Sequence, residues 1–136
     1  MSRSEGYRDV GLLIARMGFG LCFFWFHGYP KLVSGPEGWE LFGRAMSHAG
    51  ITFGYEWWGL FAALSETVGG LLFAFGLFFR PACLALLGVM TFATIEQYSR
   101  EAPVPEHALK NAFIFAGLLL VGPGRYSLDA RLRRKA

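Results

Sequence analysis

Charged side chains are scarce in this sequence. They make up 17% of its 136 residues, where soluble domains carry about 25%. A soluble helical bundle needs a polar face on each helix, yet Leu71–Phe79 and Phe113–Val121 contain no charged residue. Cysteine is nearly absent. Cys22 and Cys83 are the only two, and no C-x-x-C pair exists, which excludes a dithiol redox motif of the chain's own. Their expected depths differ by about 15 Å at the helical rise. A disulfide needs Cα atoms about 4.4–6.8 Å apart, so both read as small apolar packing residues. A haem-ligand pair, an iron–sulfur pattern and a nucleotide-binding loop are missing too. Electron chemistry in this chain therefore needs a bound organic cofactor or a partner subunit. Internal repeats and composition shifts are also missing, which implies a single domain over residues 1–136 and disfavours a carrier built from repeated halves.

What is present is apolar: 54% hydrophobic and 17% aromatic residues. They gather in four runs, at about 10–26, 57–79, 81–98 and 105–121, each long enough for a membrane span of about 17–25 residues. The expected fold class is all-α, an integral membrane four-helix bundle. The first run follows Arg3 and Arg8 but ends in Phe23-Phe24-Trp25-Phe26 without a small-residue cleavage site, so it is expected to stay as a span. Eight Lys and Arg residues fall on one side (Arg3, Arg8, Arg80, Arg125, Arg131, Arg133, Arg134, Lys135) and four on the other (Lys31, Arg44, Arg100, Lys110). The positive-inside rule then puts both termini in the cytoplasm. Residues 122–136 form a basic cytoplasmic tail, stopped off from the fourth helix by Gly122-Pro123-Gly124. The net charge of +3 reflects this topology. A short basic tail beside a membrane points to anionic lipid, and nucleic acid is not an expected partner. In the one long connection, Trp39, Phe42, Met46 and Ala49 recur at helical spacing, which predicts a short amphipathic surface helix over about 36–49.

Two ionisable residues interrupt the apolar runs: Arg16 in the first and Glu66 in the second. Near a bilayer centre each costs about 2.5–3.5 kcal/mol on insertion scales, so each must be paired, hydrated or in use. Gly59, Ala62, Ala63, Gly69 and Gly70 line or border the stripe that carries Glu66 and turn it towards another helix. Arg16, Gly20 and His27 share a face of the first helix, with Lys31 just beyond. The expectation is a buried Arg16–Glu66 pair, either a structural ion pair fixing helix register or a proton-handling or ligand-anchoring pair. His27 and Lys31 stand at its outer mouth. A second polar set, Glu96, His107, Lys110 and Asn111, should meet where the third and fourth helices end. Its spacing matches no metal-ligand motif, so no metal is expected. A quinone head group fits better: it needs a hydrogen-bonding group near each carbonyl and an aromatic slot open to lipid. The plain alternative is interfacial polar residues meeting headgroups. No residue is marked as catalytic.

Several motifs together resemble the DoxX family of small four-helix membrane proteins. They are Arg16-Met17-Gly18-Phe19-Gly20, His27-Gly28 and Lys31-Leu32; Glu66-Thr67-Val68-Gly69-Gly70; Gly76-Leu77 and Arg80-Pro81; Met90 to Ala93; and the closing run Gly122-Pro123-Gly124-Arg125-Tyr126-Ser127-Leu128-Asp129. Many relatives carry a histidine near the outer end of the third helix, where this chain has Glu96. The resemblance implies a prokaryotic inner-membrane protein in redox physiology, either a quinone-linked subunit of a sulfur-compound or detoxification system or a partner of soluble redox proteins. The alternative is a non-enzymatic anchor that recruits a soluble redox partner through the surface helix or the basic tail. Gly-lined faces also suit packing against a second copy of the chain.

Overall fold

The structure is a computed structural model and describes residues 3–99 and 106–135. The connection between the third and fourth predicted spans, with Arg100 and Glu101, lies outside the described residues. All regular elements among the described residues are helical: α1 (Arg3–Cys22), a π-helical segment (Phe23–Gly28), α2 (Tyr29–Val33), α3 (Gly35–Gly43), a 3-10 segment (Arg44–Ala49), α4 (Tyr55–Phe75), α5 (Phe79–Ser99), α6 (Glu106–Val121) and α7 (Leu128–Lys135). Three helical stretches are long and apolar enough to cross a membrane: Ser4–Val33, Tyr55–Phe75 and Phe79–Ser99. Large apolar side chains cover their outer flanks. Ile14, Trp25, Phe26, Trp57 and Phe61 are each more than half exposed, a surface that suits lipid and not water.

The first helical rod is longer than its apolar run implied. It runs through α1, the π segment and α2 to Val33 without a break. The expected boundary at Phe26 falls inside the π segment, where the wider turn lets Phe23 and Gly28 both face inward. The rod packs antiparallel to α4 along a line of glycines. A Cβ on Gly20 would lie 2.5 Å from the carbonyl oxygen of Gly70, and one on Gly28 would lie 2.5 Å from the amide of Thr67. α3 then continues along the N-terminal half of α4. Gly43 abuts the backbone of Tyr55, and Gly59 abuts that of Trp39. The connection expected over 36–49 is thus an α-helix pressed backbone to backbone on α4, followed by the 3-10 segment. Beneath these elements lies an apolar core in which Phe23, Phe73, Phe79 and Phe115 stack edge to face or in parallel at 4.9–5.3 Å. Cys83 is buried among them, Cys22 is exposed, and both are free thiols.

Two further boundaries differ from the sequence expectation. α4 stops at Phe75 because Gly76 takes a left-handed conformation (φ 65°), so the turn is Gly76–Phe78 and Arg80-Pro81 fall in the first turn of α5. Proline is tolerated there because first-turn N–H groups have no intrahelical partner. The tail is also structured. Gly122, at φ 87°, ends α6, and α7 forms eight residues later than Leu120. Ser127 caps α7: its hydroxyl accepts the N–H of Ala130 at 3.1 Å.

The glycine seam yields a prediction. Gly59→Ala drives a methyl into the Trp39 carbonyl and should cost about 1–3 kcal/mol, the range for overpacking. Gly18, whose Cβ position has no neighbour within 4 Å, should accept Ala with unchanged or raised stability. Thermal unfolding of both variants in detergent checks the contrast.

Candidate functional site

Arg16 and Glu66 do not pair. The α1–α4 register is antiparallel and sets Arg16 level with Gly76, whose Cβ position the Arg16 guanidinium would occupy. Ten residues of α4, about 15 Å, separate that level from Glu66. Arg16 is 2% exposed and donates to the loop after α6, Nη2 to the carbonyl of Tyr126 at 2.6 Å and Nη1 to that of Pro123 at 3.3 Å, while its buried Nε has no hydrogen-bond partner among the described residues. A helix end and its following turn leave carbonyls without partners, and the guanidinium fork satisfies two of them. Asp9 and Asp129 complete this polar lock. Asp9 accepts the amide of Arg125 at 3.3 Å. Asp129 accepts the amides of Phe78 and Phe79 at 2.9 and 3.0 Å, capping the start of α5, and its own amide donates to Gly76. The sequence marked Asp129 and the fully buried Ser127 only as parts of a motif and passed over Asp9. The Ser-x-x capping spacing before a charged helix was the available signal.

Glu66 is completely buried, and its partner is Lys31. Lys31 Nζ donates to Glu66 Oε1 at 2.7 Å. The second oxygen, Oε2, has no hydrogen-bond partner among the described residues. Lys31, expected at the outer mouth, is instead drawn inward. Its Nζ lies 5.2 Å from the centre of the Phe42 ring, and its carbonyl accepts the Trp39 indole N–H at 3.0 Å and the Ser34 hydroxyl at 2.6 Å. Gly28 makes this pairing possible, because its missing side chain lets α2 approach the backbone of Glu66 and Thr67.

The outer cluster divides. Glu96 on α5 faces His48 of the 3-10 segment at 3.6 Å, while Lys110 bonds Glu106 on its own helix. His107 on α6 stands 3.5 Å from His27, nitrogen to nitrogen, and 3.3 Å from the Asn111 amide. Among the described residues no group of three or more His, Cys, Asp or Glu side chains is placed to hold a metal ion.

His27, Lys31 and Glu96, but not His107, Lys110 or Asn111, line an open cavity of about 840 Å³ bounded mainly by α3, the 3-10 segment, α4 and α5. Its walls are mostly apolar, with Phe42, Trp58, Phe61 and Phe92 among them. Polar side chains of His27, Lys31, Glu96 and Gln97 converge on it. Small ligands favour this arrangement, an apolar volume of about 300–1,000 Å³ with a few placed polar groups. Gly88 leaves one wall open, since its Cβ position has nothing within 4 Å. Sequence spacing brought His27 and Lys31 to the site but could not reveal the cavity, whose far wall is the segment 41–46.

Removing one member of a buried ion pair leaves the other charge without compensation, at a cost of about 3–5 kcal/mol. Lys31 is 22% exposed at its side chain, which places Lys31→Met near the lower end. The double variant Lys31→Met/Glu66→Gln should recover most of the loss, and a double-mutant cycle of unfolding free energies measures it.

No curated protein and no solved structure matches the chain. The DoxX family model matches residues 11–98, the segment that holds Arg16, the Lys31–Glu66 pair and every wall of the cavity; α6 and the Gly122–Asp129 run lie beyond it. The chain is a multi-pass membrane protein of the DoxX family.

Proposed function

We propose that this protein is a quinone-linked membrane subunit of a redox system, serving sulfur-compound or detoxification chemistry. The observation that carries the reading is the cavity of about 840 Å³ with Lys31 at its polar end and buried Glu66 behind it. A planar conjugated ring with two carbonyls and a long apolar tail fits such a space. Phe42, Trp58 and Phe92 supply ring-stacking walls, and Phe61 and Leu84, both in the lining and both exposed, offer the tail a way towards lipid. Lys31 donates a hydrogen bond to one carbonyl, and His27 serves the same role from the α6 side. A bound quinone supplies two-electron, two-proton chemistry. Glu66 holds Lys31 in place and keeps a free acceptor oxygen beside the site for a proton relayed through the ammonium. Electrons come from a soluble or membrane redox partner, since the chain carries no metal motif of its own.

The proposed setting is a prokaryotic inner membrane crossed four times, with both termini cytoplasmic. The sixteen residues of α6 make the fourth span, aided by Lys110 reaching out to the headgroups along its stem. The ion pairing of Lys31 removes it from the outer cations and sharpens the charge asymmetry behind this orientation. α3 closes the outer end, where it also covers the cavity. A second copy of the chain is a further candidate partner.

Quinone titration of the purified protein, read by tryptophan quenching from Trp58 and Trp39, tests the reading. Saturable binding is expected. Gly88→Trp should fill the cavity and weaken binding at least tenfold while thermal stability holds. Absence of binding, together with stable co-purification of a soluble redox protein, would favour the alternative of a non-enzymatic anchor.

A further inference from the structure

A second, smaller groove lies at the opposite end of the molecule, between the α4–α5 turn and α7. It holds about 600 Å³ and is lined by Leu77 from the turn and by Leu128, Arg131, Leu132, Arg134 and Lys135 from α7. Three leucines thus face three cations, and no acidic side chain lines the groove. The single carboxylate of α7, Asp129, is committed elsewhere, with its oxygens on the amides of Phe78 and Phe79. The cations are held at a fixed place. Ser127 caps α7, and the amide of Asp129 is bonded to the carbonyl of Gly76 at 2.9 Å. The turn forming the other wall joins two helices long enough to cross a membrane, and Phe78 and Leu132 beside it are 64% and 57% exposed. The groove therefore opens where apolar spans give way to polar surroundings.

We propose that this groove seats one anionic phospholipid. Its phosphate meets Arg131, Arg134 and Lys135, and its acyl chains run over Leu77, Leu128 and Leu132 onto the apolar flank. Guanidinium groups match phosphate oxygens in pairs, and basic pockets at the ends of membrane helices suit anionic headgroups. An acidic protein segment would use the cations but leave the leucines wet, so the mixed lining favours lipid. This site is independent of the quinone reading.

The test uses the full chain in detergent, titrated with phosphatidylglycerol or phosphatidylcholine of identical acyl chains and read by native mass spectrometry. Phosphatidylglycerol should bind more tightly. Each cation near a membrane surface is worth about fivefold in affinity, so Arg131→Gln/Arg134→Gln/Lys135→Gln should weaken phosphatidylglycerol binding at least tenfold. Leu132→Ser, which leaves charge untouched, should weaken it as well. All these positions are exposed, so circular dichroism should stay unchanged. Equal binding of the two lipids would overturn the proposal. So would a loss of the same size from Arg8→Gln/Arg80→Gln/Arg133→Gln with no effect of Leu132→Ser, which would mean diffuse attraction. Displacement of bound phosphatidylglycerol by inorganic phosphate, or binding of an acidic peptide that ignores Leu132→Ser, would likewise assign the cations to another anion.

Discussion

A carboxylate that is fully shielded from its surroundings dictates much of this fold. Glu66 sits midway along α4, fully buried against the first helical rod at Gly28, where an isolated charge is untenable. Its ion pair with Lys31 requires the first helical rod to continue past its apolar run through a π segment and to press Gly28 against the α4 backbone. α3 must then turn along α4 to cover the lysine, with Phe42 over the ammonium and Trp39 bonded to its carbonyl. α3 and the 3-10 segment, placed by these demands, form the wall of the cavity opposite α5. The polar end of the cavity and the pairing of Glu66 are therefore one arrangement.

The other end of the molecule solves a different problem. Turns at the ends of α4 and α6 expose carbonyls and amides at the edge of an apolar body, and such groups are costly when left without partners. Arg16, Asp9 and Asp129 satisfy them and tie α1, α4, α5 and α7 together. Arg16 is thereby held by backbone carbonyls, and it is Lys31 that meets the buried carboxylate. Two cations of the first helical rod, Arg16 buried and Lys31 partly exposed, take different partners: backbone carbonyls in one case, a carboxylate beside a cavity in the other.

Much of this was legible from residue order. Composition and run length are enough to give helices, spans and a membrane setting, since hydrocarbon leaves few alternatives for backbone polar groups. The importance of Glu66, the small-residue stripe around it and the presence of His27 and Lys31 near the site also followed. The partner of Glu66 did not. Depth was counted from apparent helix ends, and those ends were misplaced: the first rod outruns Phe26, and α4 starts at Tyr55 and stops at Phe75. Counting from those ends leaves Arg16 and Glu66 about 10 Å apart in depth, short enough for the arginine stem or a water to bridge, whereas the antiparallel register sets them about 15 Å apart. The separation of Glu96 from His107 has a related origin. Helix ends near in sequence were assumed to face one another, whereas His48, from the 3-10 turn that ends the 36–49 connection, lies against Glu96 at 3.6 Å. The cavity is a property of four elements at once, and no single stretch of sequence signals it.

The central claim is that Glu66 is held by Lys31 and not by Arg16. Magic-angle-spinning NMR of the protein in lipid measures this directly, with glutamate side-chain carboxyl carbons labelled against lysine or arginine side-chain nitrogens. Glu106→Gln and Glu40→Gln remove the two exposed Lys110 and Arg44 pairs. The account predicts strong dipolar dephasing from lysine nitrogen, consistent with the 2.7 Å Nζ–oxygen contact, that vanishes in Glu66→Gln. Dephasing from arginine nitrogen with none from lysine would contradict it.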